Sequence, residues 1–214
     1  MLVIFTLSTL WLPGWCSESQ SDYILDARFG RGGKGVGEFS VPHSIGFDFL
    51  GNMYVTDNSN NRVQKFTSNG TFITKWGSHG TKDGQFNEPH SSTSDKFGNI
   101  YVSDTKNNRV EKFTSNGTFI TKWGSHGTKD GQFGVLLGID IDSYGNVYTI
   151  DQVNSLIQKF ANNGTFITKW TNPVFGNWAL EDIELDSSDN VYVTDRVNNE
   201  IFKFVQSIYP NPSN

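Results

Sequence analysis

The feature that most constrains the fold is a seven-residue segment that recurs four times along the chain. It reads GNMYVTD at 51–57 and returns in closely related form at 98–104, 145–151 and 189–195, at steps of 47, 47 and 44 residues. A fixed period of this length indicates an array of similar units that share a continuous core. Between 63–86 and 110–133 the only difference is Gln64 against Glu111, which indicates a tandem duplication.

Each unit divides into four short runs of alternating apolar and polar residues. In the third unit these runs are 138–142, 146–150, 156–160 and 165–170. Gly-Asn and Asn-Gly pairs stand between runs, where hairpin turns need residues that tolerate positive φ. Four antiparallel strands per unit predict an all-β fold, a β-propeller of four four-stranded blades.

The two ends of the chain differ from the internal units in a complementary way. The last unit has three runs, 183–186, 190–194 and 201–204, followed by a Pro-containing tail at 206–214. The segment 22–30 is a surplus strand, because Phe29 precedes Trp76 by one period of 47 residues. We expect this N-terminal strand to complete the last blade and close the ring, which removes an open sheet edge. The predicted propeller spans 22–205.

The first 19 residues form a hydrophobic leader. Residues 2–15 are almost all apolar or hydroxylic. A run of about 14 such residues is too short for a membrane-spanning helix and suits a signal-peptide core. We therefore expect a secreted or cell-surface protein, with an uncleaved anchor as the alternative and with membrane contact only through that leader. The single cysteine, Cys16, excludes an internal disulfide framework and Cys-rich metal sites.

The repeat resembles a known family. The first unit reads Phe39, Pro42, IGFD at 45–48, GNMYVTD at 51–57, NRVQKF at 61–66 and GTF at 70–72. This pattern looks like an NHL repeat, and the resemblance covers nearly the whole chain after the leader. It implies a β-propeller that binds partners or, as in peptidyl-amidating lyases, holds a metal in its channel. NHL propellers typically close with six blades. Four blades imply a small closed ring, which we expect, an open arc completed by a second copy, or an incomplete product.

Several repeat positions carry large or charged side chains with predicted structural roles. Three aromatic positions are expected to pack blade against blade: Phe66, Phe113, Phe160 and Phe204; Phe72, Phe119 and Phe166; and Trp76, Trp123 and Trp170 with Phe29. The aspartates that end each second strand are Asp57, Asp104, Asp151 and Asp195. They are expected to accept N–H groups in the following turn, with metal ligation as the alternative. Arg62 and Arg109 are expected to be exposed or locally paired.

One repeat position starts the inner strand of each blade and is predicted to form a ring at the channel mouth. It holds His43, His90, Leu137 and Glu181. Two imidazoles and a carboxylate can hold one divalent ion such as zinc or calcium, or act as acid and base. Asp182 is a rival ligand, and a merely solvated rim is the alternative interpretation. Ser44, Ser91 and Ser92 lie beside the histidines without a nucleophile motif.

Three Asn-Gly-Thr sequences are candidate N-glycosylation sites, at Asn69, Asn116 and Asn163. They are equally the Asn-Gly pairs that hairpin turns prefer.

Charge separates the function classes. A net charge of −5, with a sequence pI near 5.3, disfavours nucleic-acid binding. We expect a non-catalytic binding scaffold without a cofactor, whose loops bind a protein or glycan partner. The alternative is a metal-dependent lyase or hydrolase with its site at the channel mouth, and an incomplete ring would favour an oligomer.

Overall fold

The computed structural model describes residues 28–171 and 179–206, and within them the chain is a four-blade β-propeller. Two short parallel strands, β1 (Arg31–Gly32) and β2 (Glu38–Phe39), precede the first blade. The strands of the first two blades are β3 (Pro42–Phe47), β4 (Met53–Asp57), β5 (Arg62–Phe66) and β6 (Phe72–Trp76), then β7 (Pro89–Ser94), β8 (Ile100–Asp104), β9 (Arg109–Phe113) and β10 (Phe119–Trp123). Those of the last two are β11 (Leu136–Ile141), β12 (Val147–Asp151), β13 (Leu156–Phe160) and β14 (Phe166–Trp170), then β15 (Leu180–Leu185), β16 (Val191–Asp195) and β17 (Glu200–Phe204).

Every blade is an antiparallel meander that runs outward from its inner strand. The four strands predicted for the third unit are confirmed to within two residues at each end. Two single-turn 3₁₀ helices, Asn58–Asn60 and Thr105–Asn107, connect the second and third strands of the first two blades. The alternation of apolar and polar residues therefore located the strands because each strand buries one face against a neighbouring blade.

The inner strands β3, β7, β11 and β15 pack against one another in chain order and surround a central cavity of about 490 Å³. Hydrogen bonds also link neighbouring inner strands. Thr93 on β7 donates to Asp140 on β11 at 2.9 Å, and Asp140 accepts from the main-chain N–H of Leu185 on β15 at 2.7 Å. The inner strands thus place their alternate side chains in one shared channel.

Two of the three predicted aromatic positions pack blade against blade. The third, Phe72, Phe119 and Phe166, instead packs on the phenylalanine of its own blade, at 5.9 to 6.0 Å between ring centroids. Trp76 of the first blade lies 5.7 Å from Phe113 of the second, and Trp123 lies 6.0 Å from Phe160 of the third. These distances join ring centroids and suit tilted aromatic pairs. Trp76 also covers Gly117, whose φ of +86° and close approach to the indole leave no room for a side chain.

Side chains on the outward faces of the first and last blades are more exposed than equivalent side chains at the junctions between blades. Ile45 of the first inner strand is 59% exposed, whereas Ile139 and Ile183 at the same repeat position are 3% and 1% exposed. On the last blade Ile201 is 72% exposed. In the part of the chain described here, the last blade has three strands, and no strand pairs with the outer side of β17.

The predicted closing strand, residues 22–30, lies outside the described residues except for its last three positions. Residues 28–30 are not in a strand. Phe29 nevertheless packs 5.9 Å from Phe66, as Trp76 packs on Phe113 one blade later. The predicted equivalence of Phe29 and Trp76 is therefore confirmed.

The leader at 1–19 and the tail from 207 onward also lie outside the described residues. Among the residues that the structure does describe, no helix is long and apolar enough to cross a membrane.

Candidate functional site

The channel mouth brings together three of the residues predicted for it. The rings of His43 and His90 are 4.4 Å apart between centroids, and His90 Nε2 lies 3.9 Å from Glu181 Oε1. Leu137, at the same repeat position, is 7% exposed and carries no polar atom on its side chain. The mouth is therefore polar on the first, second and fourth blades and apolar on the third blade.

Burial determines the protonation state of His90. Burial, together with the charge of His43, lowers the pKa of His90 to about 4. His90 is therefore neutral at neutral pH, and its Nδ1 is buried without a hydrogen-bond partner. Glu181 is shared with other groups, because Gln152 Nε2 lies 3.2 Å and Arg196 Nε lies 3.4 Å from its Oε2.

No group of three or more His, Cys, Asp or Glu side chains within the described ranges is arranged to hold a metal ion. Metal binding by His43, His90 and Glu181 remains a prediction for experiment. Ser44 Oγ lies 3.3 Å from Ser91 Oγ, and this contact pairs two hydroxyls without a base.

Carboxylates line the wall of the central cavity beyond the mouth. Asp140, Asp182 and Glu184 line this cavity with His43 and the inner-strand serines. Burial raises the pKa of all three, and that of Glu184 to about 7. Repulsion adds to the rise, from Asp182 on Asp140, from Glu181 on Asp182, and from Asp140 and Asp182 on Glu184. Only Asp182 among them was predicted from the sequence. Glu184 was predictable, because it lies two residues after Asp182 on β15 and residues two apart on a strand share a face. Asp140 occupies the equivalent repeat position on β11.

At the opposite end of the channel lies a surface that we call the turn face. It consists of the four turns between the first and second strands of each blade, 48–52, 95–99, 142–146 and 186–190. In the third blade Asp142 accepts hydrogen bonds from the main-chain N–H of Asn146 and from the hydroxyl of Tyr148, at 2.8 and 3.1 Å. Lys159 Nζ lies 3.0 Å from the same carboxylate.

The same arrangement recurs in all four blades. The central aspartates are Asp48, Asp95, Asp142 and Asp186, and each accepts from an Asn and a Tyr of its own blade. These aspartates were not predicted as a set, although the spacing D-x-x-x-N-x-Y repeats in every unit. The network holds each turn in one conformation because the carboxylate satisfies several donors at once.

The turn face also carries exposed apolar side chains, which we call the apolar crown. Its members are Phe49, Leu50, Phe97 and Tyr144, and they are 69%, 71%, 72% and 76% exposed. The turns lie side by side, because Ser143 donates a main-chain hydrogen bond of 2.8 Å to Asp189 of the next blade. A cavity of about 310 Å³ opens between the turns of the second, third and fourth blades. Apolar residues at turn tips, where polar residues are usual, were the available sequence signal.

The aspartates that end the second strands have structural partners. Asp151 and Asp195 accept main-chain N–H groups of the following turn, as predicted, whereas Asp57 and Asp104 accept a main-chain N–H from the segment before the inner strand. Asp57 accepts from the main-chain N–H of Ser40 at 2.7 Å and from Asn60 Nδ2 at 2.9 Å. Arg62 and Arg109 are paired with Asp57 and Asp104, with Nε···Oδ2 distances of 2.7 and 2.8 Å. The alternative that these arginines are exposed is wrong, since each is 6% exposed.

The three candidate glycosylation sites lie at exposed turn tips. Asn69, Asn116 and Asn163 are exposed, and the following glycines have φ between +82° and +88°. These Asn-Gly pairs therefore form turns, as predicted, while their modification stays a prediction.

Comparison with known proteins identifies the fold. No family model matches the chain, and no curated protein matches it. A streptogramin B lyase structure is similar with a TM-score of 0.62 and 19% identity, over 82% of this chain and 56% of that one. Virginiamycin B lyase from Staphylococcus aureus aligns at a TM-score of 0.56 and 14% identity, over 80% of this chain and 56% of that one. The WD40 β-propeller domain of Doa1 aligns at 0.53 and 11% identity, over 73% of this chain and 47% of that one.

These similarities show the architecture alone. The chain spans about half the length of the solved propellers that it matches. Those propellers include lyases and a WD40 domain, so the shared fold accompanies different functions. The expectation of a β-propeller is thereby confirmed.

Proposed function

We propose that this chain is a non-catalytic binding scaffold, built of NHL-like repeats, that docks a protein partner on its turn face through the apolar crown. The observation that carries the proposal is the exposure of four large apolar side chains, all between 69% and 76%, on adjacent turns of one face. Contiguous exposed apolar side chains are uncommon on soluble proteins and are typical of interaction surfaces.

The crown has the composition of an interface centre. Aromatic side chains are enriched there, and polar residues surround them. Each crown side chain presents on the order of 100 Å² of apolar surface, so burying four would contribute roughly 10 kcal/mol at about 25 cal/mol per Å². That figure is comparable with the ordering terms that oppose association, so an ordinary protein affinity follows only with additional polar contacts at the rim.

The turns beneath the crown favour binding because they are already ordered. Asp95 fixes the turn that carries Phe97, accepting from the main-chain N–H of Phe97 and of Asn99, both at 2.9 Å. Asp142 does the same for Tyr144, at 3.0 Å. A partner that docks here loses little free energy to loop ordering.

We place the scaffold outside the cell, on the strength of the hydrophobic leader at 1–19. Glycans on Asn69, Asn116 and Asn163 would then lie at the periphery, on turns between the third and outer strands. Those turns lie on the same face as the crown turns, since a Cβ on Gly98, beside Phe97, would lie 3.8 Å from the Cβ of Ser115, beside Asn116. A glycan on Asn116 would therefore flank the crown.

The test compares capture of extracellular proteins by the wild type, by a crown variant and by a matched control. Phe97→Ser combined with Tyr144→Ser removes two crown side chains, and Ile120→Ser removes a side chain that is 44% exposed on outer strand β10. We expect a protein that is captured by the wild type and by the Ile120→Ser variant. With this partner purified, the crown variant should bind it with a Kd at least tenfold weaker than that of the wild type. Equal affinity for all three proteins, or binding only to glycans, overturns the proposal.

A second candidate function rests on the channel mouth. The approach of His43, His90 and Glu181, in a fold shared with lyases, favours a lyase or hydrolase site there. Within the described ranges, these donors are not arranged as a three-ligand group. We expect purified protein to carry no stoichiometric metal by elemental analysis. One divalent ion per chain, lost in the combined variant His43→Ala and His90→Ala, would favour the enzyme instead.

A further inference from the structure

One buried repeat position differs in chemistry between otherwise equivalent blades. The middle residue of the third strand is Gln64 in the first blade, Glu111 in the second and Gln158 in the third, and these are 0%, 0% and 1% exposed. The position faces a segment that we call the approach loop, which precedes each inner strand and spans 30–40, 77–87 and 124–134. The internal repeat therefore provides two neighbours against which Glu111 can be compared.

Both glutamines bind their approach loop in the same way. Gln158 Oε1 accepts from the main-chain N–H of Gly131 at 2.9 Å, and its Nε2 donates to the carbonyl of Gln132 at 2.7 Å. Gln64 repeats both bonds with Gly37 and Glu38, at 3.1 and 2.8 Å. Each pocket thus offers one donor and one acceptor, which an amide matches with its two different ends.

In the second blade the equivalent pocket is formed by the N–H of Gly84 and the carbonyl of Gln85. An ionised Glu111 would turn an acceptor-only carboxylate toward that carbonyl, and two acceptors cannot bond to one another. Neither oxygen of Glu111 has a hydrogen-bond partner of standard geometry, although the main-chain N–H of Gly84 is near enough to act on the carboxyl group.

Arg109 does not resolve the mismatch. Its Nη2 lies 3.0 Å from Glu111 Oε1. Both Nη2 hydrogens are already donated, to the carbonyls of Lys82 at 3.0 Å and Gln85 at 2.7 Å. Its Nε donates to Asp104, at 2.8 Å. The guanidinium is therefore close to Glu111 as a charge but has no Nη2 hydrogen left to donate to it.

We propose that Glu111 is a neutral carboxylic acid in the folded protein and donates its proton to the carbonyl of Gln85, forming a pH-sensitive latch between β9 and the approach loop 77–87. In this form Glu111 reproduces the hydrogen bonds of Gln64 and Gln158. Ionisation releases the proton to solvent, removes the donor and leaves a buried carboxylate facing a carbonyl, so the latch weakens as pH rises.

The charged groups around Glu111 agree with this state. Burial raises the pKa of Glu111 to about 7. Arg109 on the same strand opposes that rise, Asp104 on β8 adds to it, and the Gly84 N–H of the approach loop and Lys122 on β10 oppose it. Since the pKa is higher in the folded than in the unfolded chain, the stabilisation is complete below about 4.5 and is lost as pH rises through about 7.

The test is urea unfolding of the full chain at pH 5 and pH 8, for the wild type and for Glu111→Gln. The variant supplies the residue that the neighbouring blades use and cannot ionise. We expect the folding equilibrium constant of Glu111→Gln relative to wild type to rise on the order of a hundredfold between the two pH values. The reciprocal variant Gln158→Glu should lose stability relative to wild type over the same interval.

A site-specific readout completes the test. We expect the infrared spectrum of the wild type minus that of Glu111→Gln to show, at pH 6, a carbonyl band of one protonated carboxyl group. Glu184, whose pKa burial also raises to about 7, contributes equally to both spectra and cancels in the difference. Three results would overturn the latch. The ratio of equilibrium constants could be constant with pH, the wild type could become more stable relative to the variant as pH rises, or the two proteins could give the same infrared spectrum.

Discussion

Replacement of Phe113 by alanine tests whether the aromatic contacts between blades stabilise the fold. Phe113 is 0% exposed, and its ring lies 5.5 to 6.0 Å from those of Trp76, Phe86 and Phe119. Truncation to Cβ removes roughly 150 Å² of buried apolar surface, or about 4 kcal/mol at ~25 cal/mol per Å². We therefore expect a loss of about 3–5 kcal/mol in the free energy of unfolding.

The internal repeat supplies the control. Phe204 occupies the same position in the last blade and is only half-buried, so Phe204→Ala should lose about half as much. The measurement is urea unfolding followed by tryptophan fluorescence and circular dichroism, whose transitions must coincide for the free energies to be compared. A loss below about 1 kcal/mol for Phe113→Ala, or equal losses at both positions, would refute the reasoning.

Three further predictions concern the turn face, the channel mouth and a glycine beside a blade junction. Burial opposes ionisation of Asp142, but hydrogen bonds and Lys159 outweigh it and hold the pKa below 3.8. The stabilisation is thus present above that value and lost in acid, so unfolding of Asp142→Asn should depend less on pH between 2 and 5 than that of the wild type. The NMR signals of His90 should titrate near pH 4, and His43→Gln should raise that midpoint by removing a positive charge; a midpoint above 6 contradicts the burial argument. Gly124→Ala should lose at least about 1 kcal/mol, since φ is +106° and a Cβ would lie 2.7 Å from a carbonyl oxygen, whereas Gly32→Ala, with no atom within 4 Å, should be neutral by the same unfolding assay.

Local patterns account for the parts of the fold that the sequence predicted well. Strand limits, blade number and the aromatic packing positions all follow from alternation within strands and from the 47-residue period. The pairing of Asp104 with Arg109 was within reach too, because both residues lie at the adjoining ends of consecutive strands. Such features depend on residues near one another in sequence or exactly one repeat apart.

The candidate sites were predicted less completely. His43 and His90 were expected together at the channel mouth, and they are in contact there. Their different environments were not predicted, since His90 is partly buried while His43 is exposed. Leu137 shows the same limit, because one repeat position holds different residue types whose roles depend on the blade. The apolar crown was not predicted, because the turn residues were interpreted by the backbone conformation that they favour, whereas the exposure of their side chains depends on the folded structure.

The amino-acid sequence by itself determined the repeating strands, the turns between them and the identity of the packing residues, because these depend on short-range geometry that every unit shares. The tertiary structure decided how much of each unit is covered. Ile45 and Ile139 occupy the same position and have the same side chain, yet one is 59% exposed and the other 3%. The neighbouring blade causes that difference in exposure, because burial results from contact between units and not from the unit itself. The pocket around Glu111 likewise forms only where the approach loop packs against β9.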